Sequence, residues 1–537
     1  MTGFTTVFSF LFRRNWVFFL IWVAVLAILM PATISQYSTI IPDGPDGAVM
    51  LQGLALDPTM RAILGPPFDL TLPGGFTFWR VGAFTAVAAA MMSGLGIIRA
   101  TRAEEEEGRI ELIRAGAVGR HVPLAAGVAL TLLWNFVLGI LVVATMSAMT
   151  TPFAGALASG LAIALGGAVF TGVGAVMAQL FTSARTARYW TIGITLGGLY
   201  LLRAIVDGSQ KPDETNRLLD FLQWANPLSW PALVRPYADE RFWVLLLPLA
   251  LTAVLLSLAL LLESRRDHAS GIRASSPGRV EAAPYLSGAW GLAWRLHRGA
   301  VIGWGVGMVI AAVGIGPLGI QMAELIKGNT AFAEIMTRMG GGAQTLVDAY
   351  TIAMLGLLTT FLALMSITML GRLNSEETAG RAEVMLATST RRSALAGSHL
   401  VIAAGTAVLL TLLTGGLLHM TASSDGSWSA FVDGLAAAGA LLPGTVVLLG
   451  LMMLVLGWAP RALPLIWAII GWSIFASWVG ALLNFPDWLL RLHPWGHLPK
   501  LPTEDLVWTA ITAETLLGLV LLGLGLVGYR RRDISGR

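Results

Sequence analysis

Apolar residues in this chain run in long blocks separated by short polar stretches. Twelve blocks stand out, at 16–34, 78–99, 123–147, 154–181, 186–206, 242–262, 299–318, 347–370, 394–418, 429–457, 460–482 and 506–529. A hydrocarbon core of roughly 30 Å is crossed by about 20 apolar helical residues. Each block therefore predicts one membrane-spanning helix. The first is too long for a signal-peptide core and is expected to be retained. Two further segments, Phe4–Arg14 and Leu286–Arg298, mix aromatic and basic residues just ahead of the first and seventh blocks. That mixture predicts interfacial helices, with rings among the headgroups and arginines toward phosphate.

Composition agrees. Of 537 residues, 55% are hydrophobic and only 12% charged, against roughly 25% charged in soluble domains. Mean hydropathy is +0.72. This excludes a soluble enzyme, a disordered protein and a nucleic-acid binder. The net charge of +4 reflects arginines scattered between apolar runs, which in a membrane protein report orientation. With the N-terminus inside, the inner segments hold 24 Lys and Arg and the outer ones 10, Arg80 lying just within the second block. Both termini are thus expected in the cytoplasm of a multi-pass plasma-membrane protein. The outer loop at 203–241 carries five of those positive charges, together with six acids. Cysteine is absent, which excludes disulfides and thiolate metal sites. The three lysines, Lys211, Lys327 and Lys500, do not follow glycine. The chain therefore has no phosphate-binding P-loop of its own.

The sequence repeats internally. Glu104–Arg120 lies over Glu376–Arg392 without a gap, at an offset of 272 residues, with seven identities in seventeen positions. Glu104, Glu105, Gly108, Arg109, Glu111, Ala115 and Arg120 match Glu376, Glu377, Gly380, Arg381, Glu383, Ala387 and Arg392. Arg265-Arg266-Asp267 closes the sixth block and Arg531-Arg532-Asp533 the twelfth. Arg185 and Arg461 both stand between the fourth and fifth blocks of their half, and Asn226-Pro227 and His493-Pro494 in the last outer loop. Six spans per repeat is an even number, so both copies share one topology about an axis along the membrane normal. The expected fold is an all-α polytopic membrane protein of about 12 transmembrane helices in two six-span halves, 1–262 and 286–537. A cytoplasmic linker at 263–285 contains Ser-Ser-Pro-Gly.

Ile110, Ile113 and Ala117 follow the first acidic cluster at helical spacing, which predicts a short amphipathic helix. Early acids and a late arginine suit the helix dipole. Dipole matching gives no reason to write the pattern twice. The segment resembles the motif of ABC-2-type permeases, the membrane subunits of ABC exporters: Glu-rich residues, Gly, a spacer, Glu, an apolar pair and a downstream Arg. Glu104, Gly108, Glu111, Leu112, Ile113 and Arg120 fit, as do Glu376, Gly380, Glu383, Val384, Met385 and Arg392. Arg109 and Arg381 stand where that family has threonine. The double-length form is similar to the actinobacterial polyketide-antibiotic exporter permeases, including the tetronasin-resistance type.

The resemblance implies two coupling loops, 100–122 and 371–393, each docking into a cytoplasmic ABC ATP-binding subunit. One permease would serve a homodimer of that subunit, which would hold ATP and Mg. This chain would carry no cofactor and no enzyme activity. The coupling residues would be Glu104, Glu105, Gly108, Arg109, Glu111, Arg120, Glu376, Glu377, Gly380, Arg381, Glu383 and Arg392. Charge complementarity suits such a reversible interface. The resemblance also implies re-entrant outer regions at 207–241 and 484–505, and the interfacial helices read from the residues are placed at 1–15 and 286–298. It further implies a substrate path along the second and fifth spans of each half. Residues there include Phe78, Trp79, Phe84, Met91, Met92, Trp190, Tyr200, Met354, Phe361, Met365, Trp467, Trp472 and Phe475. Thioethers and flat rings repack around varied apolar molecules, though ordinary core or lipid-facing packing explains any single one.

Charge within spans is costly and marks function by default. Arg203 and Asp207, four apart, can pair on one helix, and Glu514 is the deepest acid. Arg80, Glu324, Asp348 and Asp433 fall near block ends. His493 and His497 have a metal-compatible spacing only on a helix, and Pro494 and Gly496 between them predict a turn. No metal site is expected. The leading expectation is ATP-driven efflux of hydrophobic or amphipathic drugs or antibiotics from the membrane lipid or cytosol. The alternatives are export of a lipid or glycolipid, and a proton-coupled secondary transporter.

Overall fold

The computed structural model describes the chain except residues 1, 42–46, 48–50, 52, 54, 57, 115, 117, 211–215, 267–270, 273–280, 287, 326–345, 424, 477–491 and 533–537. Among the described residues it is helical with no strand. Eleven described helices are long and apolar enough to cross a membrane. Within hydrocarbon every backbone N–H and C=O must bond within its own segment, and the uninterrupted Leu, Ala, Val and Gly runs do so as helices. The eleventh block, 460–482, is described only to residue 476. Its described part includes a shorter apolar helix, Pro460–Ile474.

The chain divides into two compact units, Met1–Gly278 and Arg279–Arg537. In the first, α1 (Phe4–Ile34) packs on α5 (Val122–Met149) and α3 (Pro73–Ile98). Helix α3 lies along α6 (Phe153–Leu180), which also receives α5 and the sixth helix of the unit, Phe242–Arg265. The fifth span is Ala184–Ser209. The short helices α2 (Pro58–Leu64) and α4 (Arg109–Arg114) lie in the connections at opposite ends of α3. Proline opens α3 at Pro73 and lies in the first turn of α5 at Pro123, where its missing N–H costs nothing. The second unit pairs its helices in the same order. Its first helix, Ala289–Leu325, packs on its third, Arg392–Ala422, and its second, Leu346–Thr378, on its fourth, Trp428–Trp458. The fourth also packs on the sixth, Trp508–Arg531.

The third and fourth helices of each unit cross at a pair of glycines. A Cβ on Gly160 would lie 2.5 Å from the carbonyl oxygen of Gly139, and one on Gly434 2.3 Å from that of Gly415. Small residues let the backbones approach this closely. Beside the first crossing, Asn135 donates through Nδ2 to Ser93 Oγ (2.8 Å) and to Thr131 O (3.0 Å).

The structure revises two boundaries. Phe4–Arg14, expected as a separate interfacial helix, is the beginning of one continuous 31-residue helix. Leu286 closes a short 3-10 turn, and residues 289–298 open the helix that begins at Ala289. An aromatic, basic segment that keeps helical propensity has no reason to break before an apolar run. Several expectations fall outside the described residues: Ala115, most of the 263–285 linker, 484–491, Asp267 and Asp533. The side chains of Leu112, Ile113, Arg114, Glu324 and Phe475 do so too.

Candidate coupling loops and membrane charges

Helix α3 does not end with its apolar residues. It continues through a π-helical turn at Arg99–Ala103 into Glu104–Glu106. Gly108 then takes φ +69°, and α4 starts at Arg109. In the second unit, Gly380 at φ +71° follows the long second helix and precedes Arg381–Leu386. This left-handed backbone is accessible to glycine without the steric cost other residues meet. The repeated glycine therefore breaks one helix and starts the next.

The repeated acids mostly turn inward. Glu104 is only 2% exposed. Its Oε1 accepts from Arg14 Nε at 2.6 Å, and its Oε2 from Arg109 Nε at 2.5 Å. Glu105, 7% exposed, lies between Arg102 (Nη1 to Oε2, 3.0 Å) and Arg266 (2.8 and 2.9 Å to its two oxygens). Arg266 also donates through Nε to Gln179 Oε1 at 2.6 Å, and Arg102 to Ala178 O at 3.0 Å. Glu106 accepts from the backbone N–H of Ala184 at 2.7 Å, where the fifth span begins. Arg120 donates to the carbonyls of Glu263, Ser264 and Arg266, covering the C-terminal carbonyls of the sixth span.

The second loop repeats the scheme. Glu376 accepts from Arg381 Nε at 2.6 Å and lies 3.5 Å from Arg372. Glu377 pairs with Arg532, and Arg392 donates to the carbonyls of Arg532 (2.6 Å) and Arg530 (3.4 Å). In both loops the first acid takes the arginine after the glycine. The second acid takes an arginine at the end of the sixth helix. These bonds hold Glu107 below the usual carboxylate range through Arg109, and Arg109 above its ordinary value through Glu104 and Glu107. Arg381 is raised likewise by Glu376. Glu111 and Glu383 lie exposed in the first turn of their short helices, and Val384 beside the latter is 72% exposed. Sequence reasoning missed Arg14, Arg102, Gln179, Arg266, Arg372 and Arg532 as loop partners. The repeated Arg-Arg-Asp was the available signal.

The residues expected along a substrate path do not share one environment. Phe78, Trp79, Met92 and Met365 are buried; Phe84, Trp190 and Trp467 are exposed; Met91, Tyr200, Met354, Phe361 and Trp472 are intermediate. Trp190 stacks on Phe181. Trp467 joins Met452, Arg372, Glu376 and Arg381 around a cavity of about 480 Å³ at the loop end of the second unit. Arg203 and Asp207 pair within their helix at 3.2 Å, each 1% exposed in its side chain. Glu514 is half-buried, and its Oε2 has no hydrogen-bond partner. His493 and His497 stand in a turn, where His493 Nδ1 accepts from the backbone N–H of Trp495 at 3.2 Å.

Two comparisons bear on identity. Residues 286–530 match the family model described as "Multidrug efflux system permease Rv1217c, C-terminal domain". Over 532 residues the chain is 37% identical to the multidrug efflux system permease protein Rv1217c of Mycobacterium tuberculosis (strain ATCC 25618 / H37Rv), an alignment covering 97% of this chain and 93% of that protein. The eleven apolar helices and this full-length likeness make it a multi-pass membrane permease. The chain belongs to the Rv1217c family of multidrug efflux system permeases.

Proposed function

We propose that this chain is the membrane subunit of an ATP-driven ABC-2-type exporter that expels hydrophobic or amphipathic drugs or antibiotics. Two copies of a separate ATP-binding subunit, carrying ATP and Mg, dock on its two loops. The halves are ABC-2-type repeats of six spans each, twelve in all, with both termini cytoplasmic and pseudo-two-fold symmetry along the membrane normal. The observation that carries this reading is the shared construction of the loops. Each has a left-handed glycine, a short helix with an exposed glutamate, and buried acids tied to the end of the sixth helix.

That construction gives a stroke a route. A pull on α4 passes along the chain into α3 and across Glu105–Arg266 into the sixth span. Breaking a buried ion pair costs about 3–5 kcal/mol, so the loop and its two spans move as one body. Glu111, Glu383 and Val384 supply the docking face. Glu104, Glu105, Glu376 and Glu377 stiffen it from behind. The cavity that Trp467 and Met452 line together with Arg372, Glu376 and Arg381 suits entry of amphipathic molecules, the thioether adapting to varied apolar parts.

The test is the double substitution Glu111→Arg with Glu383→Arg. Membrane insertion and thermal stability stay at the wild-type level, whereas co-purification with the ATP-binding subunit and ATP-driven efflux fall at least tenfold, a loss of about 1.4 kcal/mol or more. Unimpaired docking and efflux in that variant would overturn the assignment. So would pumping that persists without any ATPase and collapses with the proton gradient.

A further inference from the structure

At the end of the first unit opposite its loop, α2, the start of α3 and the segment around Pro231 enclose a cavity of about 30 Å³. That is room for one carboxylate or about two waters. Phe78, Trp79 and Leu228 make an apolar wall, Asp69 and the 37%-exposed Phe68 also line it, and the lining has one cation, Arg203.

The bonds of Arg203 leave part of it unused. It is 1% exposed. Its Nη2 donates to Leu64 O at 2.8 Å, and its Nε lies 3.2 Å from Asp207 Oδ2 without an aligned hydrogen bond. Its Nη1 is buried with no partner at all. Asp207 is shared. Its Oδ1 accepts from Gln223 Nε2 at 2.9 Å, and the buried Arg61 donates to its backbone oxygen at 3.4 Å. Asp69 Oδ1 is taken by Thr71, at 2.9 Å from its N–H and 2.6 Å from its hydroxyl. Only Arg203 faces the carboxylate of Asp207, which Gln223 also occupies, and Arg61 reaches the backbone oxygen of Asp207 instead. A buried guanidinium with an open N–H is costly. An anion reaching it regains that cost, and a guanidinium edge is shaped for a carboxylate or phosphate.

We propose that this cavity recognises the anionic head group of an amphiphile, which bonds to Arg203 while its apolar chain leaves past Phe68 and Trp79. Pairing with Asp207 explains why Arg203 is tolerated; it does not explain the open Nη1. The site belongs to one half only, because residues 462–482 of the second half contain no charged residue or histidine. It does not depend on how transport is powered, so it is tested on the permease alone.

The experiment is equilibrium dialysis of the purified full-length chain in an uncharged detergent, with decanoate and its neutral twin decanol as probes. Decanoate should bind saturably, one per chain, and about tenfold or more tighter than decanol, in keeping with a charge-assisted pair. Arg203→Gln should abolish that preference. Because this variant also strands Asp207, Ala83→Leu is the second: it fills the cavity from α3 and leaves the ion pair intact. It too should lose decanoate binding. Displacement of decanoate by phosphatidylglycerol, and not by phosphatidylcholine, would assign the site to a lipid head group; no displacement would assign it to a free carboxylate. Equal binding of decanoate and decanol, or unchanged decanoate binding in Ala83→Leu, would overturn the proposal.

Discussion

The two loops begin from the same residues and are anchored to different depths. In the first, Glu105 is held between two guanidiniums, Arg102 at 1% and Arg266 at 7% side-chain exposure. In the second, Asn374 stands at the position of Arg102, 272 residues on. Glu377 keeps Arg532, which is 18% exposed, and its Oε1 has no partner. The first acid differs similarly. Glu104 reaches Arg14 on the first helix, whereas Glu376 uses Arg372 of its own helix. Besides the helix that carries it, the first loop is tied to the first, fifth and sixth spans of its unit, whereas these acids tie the second to the end of its sixth helix. A repeated motif thus preserves the bond that positions the loop, while the surrounding cations set how firmly it is held.

The largest effect should separate these anchors. Glu105→Ala strands two buried guanidiniums, and removing one partner of such a cluster costs about 3–5 kcal/mol. Glu377→Ala releases a single, more hydrated arginine and should cost about 1–2 kcal/mol. Thermal unfolding of the detergent-purified variants reads the difference directly. Equal losses would mean that burial of the first cluster contributes nothing beyond the shared pair. Asn374→Arg should move the second loop toward the first, raising its stability only if the new guanidinium reaches Glu377.

The glycines should behave alike, which sharpens the contrast. A Cβ at Gly108 or Gly380 would meet nothing within 4 Å, so substitution is opposed by backbone conformation alone. Left-handed backbone costs other residues about 1–2 kcal/mol. Gly108→Ala and Gly380→Ala should each lower stability by about 1 kcal/mol, within about 0.5 kcal/mol of one another, in the same unfolding assay. A large inequality would show that the loops differ in backbone as well as in anchoring.

The helices were legible because a bilayer leaves an apolar run one way to satisfy its backbone. The repeat was legible because identity at a fixed offset needs no structure. The direction of the acids was not. Glu104 and Glu111 look equivalent in sequence, yet one is buried and the other exposed, because the left-handed glycine between them turns the chain. Arg266 lies 161 residues from Glu105, and periodicity carries no signal for a contact that distant. The aromatic and methionine sets read as a path for the same reason: Phe78 and Phe84 share a helix, and only packing buries the first and exposes the second.

The smallest predicted effect compares the outer turns. Asn226 and His493 both precede proline, and each accepts a hydrogen bond from the backbone N–H two residues on, Leu228 at 3.0 Å and Trp495 at 3.2 Å. Only the second acceptor titrates. Burial, with Lys500 and His497 nearby, pushes His493 down to about 4, whereas an unfolded histidine titrates near 6.5. The neutral ring is the form that accepts at Nδ1. Its contribution is therefore complete above about pH 6.5 and is lost as pH falls toward 4. Between pH 7 and 5.5 the loss is on the order of 1 kcal/mol or less, because the ring is partly exposed. His493→Asn gives the second unit the acceptor already used by the first and should flatten the pH dependence of unfolding in that window. Asn226→His should introduce such a dependence where there was none. If His493→Asn leaves the slope unchanged, the two turns are not interchangeable, and the acid sensitivity arises from another group.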